Sequence, residues 1–293
     1  MCVNDGSTDK SGEILSELAA QYHQLRVFYQ DNQGAAAARK SGILHAKGEY
    51  LAFCDSDDYV EACWLSGLFE RLKNNNADIS VCRAIIEGLN IEYKPSEVQI
   101  WTREILPLLF IDHSVFNGSL VVKLFKKSLF DNVVHDKRLK YFEDANLIWQ
   151  MIRKQRIKTV VRCNEGAYHY VYNNDSMTHQ TINHVRIYSV IKFWKMVYND
   201  CCQYEHLCQF KYQAMAKLIS SCTSIYLSML REGYKNQRYE ELIHRIIGSF
   251  GVKGLMSQRG LAKIVFTASI AISTTITKGG FNFYKMFNFR RLI

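Results

Sequence analysis

The sequence predicts an α/β protein: a mostly parallel sheet with helices on both faces, followed by an α-helical carboxy-terminal region. Two observations carry this. Over the first sixty residues, short apolar runs alternate with helix-forming stretches, the strand–helix–strand–helix–strand order that builds parallel sheets. From His184 to Ile247 the apolar residues recur at helical spacing instead, as in Leu218, Cys222, Ile225 and Met229.

The elements follow in order. Cys2–Asp5 reads as a strand end, Gly6 as a turn, and Ser7, Thr8 or Asp9 as the cap of a helix over Ser11–Tyr22. Val27–Tyr29 is a short strand, and Asp31–Gly34 a turn. The alanine run from Ala35 begins a second helix that Gly48 closes. Tyr50–Cys54 is the third strand. Beyond it, Ile79–Cys82 reads as a strand, Thr102–Phe110 as a short helix, and Ala145–Ile152 as a helix. A boundary near residue 180 separates a domain over 1–180 from a helical region over 181–293.

The third strand ends in Asp55, Ser56, Asp57 and Asp58, three carboxylates within four positions. Like charges this close require water, a proton or a cation to neutralise them. At the carboxyl end of a strand in an α/β sheet, a cation would sit in the crevice where such folds bind ligands. Taken alone, the run is equally a solvated loop or a helix cap.

Its neighbours sharpen the reading. Val3–Asp9 (VNDGSTD), followed by Asp31–Asp58 (DNQGAAAARKSGILHAKGEYLAFCDSDD), resembles the amino-terminal half of family 2 glycosyltransferases of the GT-A fold in order, spacing and residue type. Tyr141–Leu147 is similar to that family's Gly-Glu-Asp motif, with Phe142 in the glycine position. Val121–Phe125, with Lys123, Lys126 and Lys127, is similar to the family's segment near the acceptor; lysines of this kind are usually solvated, though one could meet the diphosphate. Tyr168–Tyr170, followed by Ser176–Thr178, resembles the segment closing the catalytic domain. The likeness spans residues 1–180; the last third carries no such signature.

The resemblance implies transfer of a sugar, with inversion, from a nucleotide-sugar donor, UDP by default, to a saccharide or lipid-linked acceptor in bacterial surface polysaccharide synthesis. It puts Asp57 on a Mn²⁺ or Mg²⁺ ion, Asp55 in the metal shell or near the ribose, and Asp58 in support. Hard oxygen ligands suit such ions, which offset diphosphate charge as Lewis acids. Asp5 would accept from the nucleobase or its ribose; the plainer reading is a turn residue bonded to backbone. Arg39 pairs with a donor phosphate or with a turn carboxylate, and the sequence leaves both open. An acceptor hydroxyl must lose its proton as it attacks, so a base is needed. The resemblance makes Asp144 that base, oriented by Glu143. From the residues alone the two form an acidic pair favoured at a helix amino terminus. Trp101, Trp149 and His169 suit sugar stacking or site lining, but each reads better as a core side chain.

Composition bounds the rest. With 293 residues, 48% hydrophobic, the chain can bury one sizeable core and a smaller element. Nine cysteines occur without a Cys-x-x-Cys pair; those in apolar runs, Cys54, Cys82 and Cys222 among them, read as small buried side chains, and a reduced, cytoplasmic compartment fits. Of the net charge of +9, +8 falls after residue 241, where basic residues interleave with aromatics and no acid occurs. Beside a sugar transferase this points to an anionic membrane surface, bound peripherally through 242–293, rather than to nucleic acid. The uncharged stretch Ile264–Thr277 is 14 residues long, and a span needs about 20 apolar residues.

Two rivals stand beside this reading. Phosphatases of the haloacid dehalogenase type also end a strand in Asp-x-Asp, but they want Thr or Val two positions later, where Tyr59 stands. The other is a catalytically impaired remnant that only binds a partner or a membrane. It arises because the resemblance expects a further strand, central between those ending at Asp5 and Asp55, ahead of Met1.

Overall fold

Parallel pairing of neighbouring strands needs a crossover, and the chain supplies one at once. In the computed structural model, which describes residues 1–87, 98–112, 116–172 and 181–250, β1 (Cys2–Asp5) leads through α1 (Ser11–Gln21) to β2 (Val27–Gln30). The two strands pair in parallel, Cys2 opposite Val27 and Asp5 opposite Gln30. The Asp9 carboxylate accepts from the Ser11 N–H (3.0 Å) at the start of α1, as its place before the helix predicts. α2 (Ala35–His45) begins after Gly34, whose φ of +88° is one that side chains rarely adopt. No side chain of α1 or α2 is fully buried.

The remaining strands form a second sheet. It comprises β3 (Tyr50–Ala52), β4 (Tyr59–Val60), β5 (Ile79–Ile86), β6 (Gln99–Thr102), β7 (Lys123–Lys126) and β8 (Thr159–Tyr170), in the order β3-β7-β5-β8-β4 with β6 also on β8. Pairing is parallel between β5 and β8 and antiparallel elsewhere in this sheet. Ile79, Ser80, Val81 and Cys82 are all buried, as a strand flanked on both sides at the centre of a sheet should be. Asp78 ties three strand ends together: it pairs with Lys126 (2.9 Å) and accepts from the backbone of Lys158 (2.7 Å) and Thr159 (3.2 Å). α3 (Trp64–Asn74) lays Trp64, Leu68 and Leu72 against β5 and β8. α5 (Glu143–Arg153) buries every side chain from Ala145 to Ile152.

The chain divides into two compact units. The first takes Met1–Glu104, Gly118–Arg138 and Glu143–Asn173; the second takes Ile105–Asn117, Leu139–Phe142 and the described residues beyond Asn173. The second unit is helical, with α4 (Leu106–Asp112), α6 (His184–Gln203), α7 (Lys211–Glu232) and α8 (Gln237–Ser249). Asn183 and Asn236 cap α6 and α8, accepting from the N–H groups of Arg186 and Tyr239. Phe193, Trp194, Leu218, Ile219 and Cys222 form its core.

Three sequence expectations need adjustment. The helix expected over Thr102–Phe110 starts only at Leu106, because Gln99–Thr102 pairs with β8 and Trp101, opposite Val160, is buried there. Tertiary pairing overrides local propensity at that point. The strand expected over Tyr50–Cys54 stops at Ala52. The helix expected to close at Gly48 ends at His45, with Ala46 as its cap. The basic tail from residue 251 onward, Ile264–Thr277 within it, and Ser176–Thr178 lie outside the described residues.

Candidate active site

Asp5, at the end of β1, faces the turn that leads into α2. Its carboxylate accepts from the Gln30 side chain (2.7 Å) and from the backbone N–H groups of Gln33 (3.0 Å) and Gly34 (2.7 Å). Burial opposes its ionisation, but these donors outweigh that and hold the carboxyl below its usual range. The Gln33–Gly34 turn is thereby fixed, and α2 starts from it.

One turn into α2, Arg39 reaches three acids. Its Nη2 donates to Asp55 (2.7 Å), and its Nη1 donates to Glu143 and to Asp144 (3.2 Å each). Arg39, Glu143 and Asp144 are largely buried, with side-chain exposures of 17%, 23% and 18%, while Asp55 is 37% exposed. Burial disfavours the guanidinium charge, yet the fields of Asp144, Asp55 and Glu143 prevail and raise its pKa. The two acids of α5 shift the other way from paired surface carboxylates. Burial raises the Glu143 pKa, and its neighbour Asp144 adds to that. Burial also raises the Asp144 pKa, against Arg39 and the Leu120 N–H, which donates to the Asp144 carboxylate (3.3 Å). Both sit at the amino terminus of α5, as a capping pair would, but they are also joined to a residue more than a hundred positions away.

The acidic turn after β3 has its own scaffold. The Tyr168 hydroxyl accepts from the Asp55 N–H (3.1 Å) and donates to Asp58 (2.5 Å), whose other oxygen accepts from the Val171 N–H (2.9 Å). Asp58 is therefore a strut with both oxygens engaged. Asp57 is exposed, and among the described residues its carboxylate makes no hydrogen bond or ion pair.

The residues expected at a site thus fall into three groups. Arg39, Asp55, Glu143 and Asp144 are brought together. Asp57 lies on the same turn as Asp55 and is open. Asp5 is held in a separate hydrogen-bonded turn. Among the described residues, no three His, Cys, Asp or Glu side chains converge to hold a metal ion. Asp57, open, and Asp55, which Arg39 holds, are the carboxylates of this turn whose hard oxygens could hold a divalent ion.

Other expectations resolve plainly. Trp149 is fully buried and Trp101 nearly so; His169 is bonded to Glu87 (2.9 Å) and stacked on Tyr59 (4.4 Å between centroids). The lysines expected to be solvated are engaged. Lys126 pairs with Asp78, Lys127 donates to the Ala46 carbonyl, and Lys123 is fully buried. The tie between Tyr168 and Asp58 is the residue role that sequence reasoning missed; its one trace was the place of Tyr168 in the segment closing the domain.

Known proteins are similar to this chain in sequence and in fold. Residues 1–134 match the profile of Glycosyl transferase family 2. The chain is 31% identical over 185 residues to the uncharacterized glycosyltransferase EpsJ of Bacillus subtilis, a match covering 60% of this chain and 53% of that protein. It is 28% identical over 189 residues to a poly(ribitol-phosphate) beta-glucosyltransferase of Bacillus spizizenii, covering 63% and 29%. The chain spans about half or less of the length of these curated relatives. Among solved structures, S. aureus TarS residues 1–349 in complex with UDP-GlcNAc aligns with a TM-score of 0.66 at 14% identity, covering 95% of this chain and 79% of that one. At that identity the likeness speaks for the GT-A fold. Over residues 1–134, then, the chain is similar to glycosyl transferase family 2.

Proposed function

We propose that this chain transfers a sugar, with inversion, from a UDP-sugar to a saccharide or lipid-linked acceptor during bacterial surface polymer synthesis. One observation carries the reading: Arg39 gathers Asp55, from the acidic turn, and Asp144, from α5, around a single guanidinium. The donor end and the base of this reading are thereby held in one cluster. The poly(ribitol-phosphate) beta-glucosyltransferase supports the acceptor class by its name, EpsJ supports glycosyl transfer alone, and the TarS complex supports UDP-GlcNAc as the kind of donor.

In this reading Asp144 takes the proton of the acceptor hydroxyl, a role worth about 10²–10⁴-fold in rate. A base must be a carboxylate at working pH yet willing to accept a proton, and a pKa raised by burial suits that. Glu143 flanks Asp144 and shares its guanidinium partner. Asp5, already an acceptor of three donors, is offered to the nucleoside; Arg39 and Asp55 lie on the donor side. Asp57 and Asp55 would hold Mn²⁺ or Mg²⁺. Such an ion, when bound, offsets diphosphate charge as the sugar leaves. The basic segment 242–293 is assigned to an anionic membrane surface at the cytoplasmic face.

The test is release of UDP from a panel of UDP-sugars, with and without Mn²⁺, by the chain and by Asp144→Asn. The expected result is turnover with at least one donor that falls a hundredfold or more in the variant while UDP affinity holds within a few-fold. Undiminished turnover in Asp144→Asn would refute the assignment of the base.

A further inference from the structure

Lysine is among the residues least often buried, yet Lys123 on β7 has no exposure. Taking an ammonium out of water costs several kcal/mol unless something compensates. Its Nζ donates to the Ser119 carbonyl, four residues back, at 2.6 Å. That bond closes a turn with two unusual features. Val122 has a φ of +63°, an outlying conformation for a β-branched residue, while its carbonyl still accepts from the Cys82 N–H of β5 (2.9 Å). Gly118 lies so close to α5 that an added Cβ would fall 2.3 Å from the Cβ of Ala145. Between them, Leu120 sends its N–H to the Asp144 carboxylate (3.3 Å). Strain of this kind persists where surrounding structure enforces it, and it gathers at functional sites.

We propose that Lys123 is a positioning residue for Asp144: its buried ammonium fixes the Ser119 carbonyl, and the turn so held presents the Leu120 N–H to the carboxylate. The inference rests on reading Asp144 as the base. Electrostatics agree with the geometry. Burial lowers the Lys123 pKa to about 7, with Cys82 and Asp144 opposing, and Lys123 in turn favours ionised Asp144. The charged groups around Asp144 are Arg39 from α2, Asp55 from the turn after β3, Glu143 on α5 and Lys123 on β7.

Coupling of this kind is reciprocal, so the test reads it from both ends on the whole chain. Lysine side-chain NMR follows the titration of Lys123 in the native protein and in Asp144→Asn; the signal is recognised by its protection from solvent. Loss of the anion should move the Lys123 titration down by about one pH unit. The second arm is Lys123→Met. UDP affinity should stay within about threefold, kcat should fall tenfold or more, and the acid limb of the kcat profile should move to higher pH, since a cation near the base has gone. An unchanged Lys123 titration in Asp144→Asn overturns the proposal, as does an unmoved acid limb in a folded Lys123→Met. Should Lys123→Met fail to fold, the NMR comparison decides. Full turnover by Asp144→Asn removes the base assignment itself, an outcome distinct from an Asp144→Asn that is inactive but leaves Lys123 unshifted.

Discussion

Arg39 meets Asp55, Glu143 and Asp144 with two nitrogens, one guanidinium ion-paired to three carboxylates. Replacing it by Gln should therefore raise the Asp144 pKa further, because the largest influence opposing burial disappears. If Asp144 is the base, it works as a carboxylate, and turnover is lost as pH falls through its pKa. Burial already raises the Asp144 pKa, and in Arg39→Gln the acid limb of turnover should move to higher pH than in the native chain. A kcat profile measured against pH checks this. Tyr168 makes a different prediction. Its hydroxyl serves both the Asp55 N–H and Asp58, so Tyr168→Phe leaves a donor and a charged acceptor unmatched. The expected cost is about 1.5–3 kcal/mol in a denaturant titration, with weaker metal-dependent UDP binding. The residue types at the site were legible in the sequence, since acids ending a strand and a Glu-Asp pair opening a helix announce themselves. Their joining through Arg39 was not, because the sequence left its partner open between a phosphate and a turn carboxylate.

At the scale of elements, the fold places its firmest structure beneath the site. β5 and β8 run side by side in the buried centre of the second sheet, whereas α1 and α2 present no fully buried side chain. Opening free energies follow burial. Amides of β5 should thus exchange slowest and those of α1 among the fastest in a hydrogen-exchange experiment; comparable protection in the two would contradict the account. The contact between the 118–120 turn and α5 gives a sharper test. Gly118→Ala brings a methyl to 2.3 Å from Ala145, and forcing the two apart should cost about 1–3 kcal/mol. It should also lower kcat more than UDP affinity, because Leu120 moves away from Asp144. Alternation of strand and helix was readable over the first sixty residues because each segment has its own period. The pairing of Gln99–Thr102 with β8 was not, since it joins residues some sixty positions apart and no local pattern encodes it. Phe142 is intermediate. Its place in a glycine position was visible, and its φ of +65° is the conformation a glycine adopts freely. What holds a phenylalanine there, stacking on Phe193 at 5.0 Å, emerges only from the fold.

For the whole molecule, charge and chemistry are separated along the chain. The acids of the candidate site lie within the first 144 residues, and nearly all of the net positive charge lies beyond residue 241. Among the described residues no helix is long and apolar enough to cross a membrane. If the basic segment meets an anionic surface, the full chain should co-sediment with vesicles rich in phosphatidylglycerol, less so as salt rises, and not with neutral vesicles. Equal binding to both would remove that part of the proposal. The central claim, a donor site built on the acidic turn, is tested most directly by calorimetry of UDP binding to the chain, with and without Mn²⁺, beside Asp57→Ala. The account predicts binding that strengthens with Mn²⁺ and loses that dependence in the variant. A folded chain whose UDP binding is indifferent to both Mn²⁺ and Asp57 would contradict it.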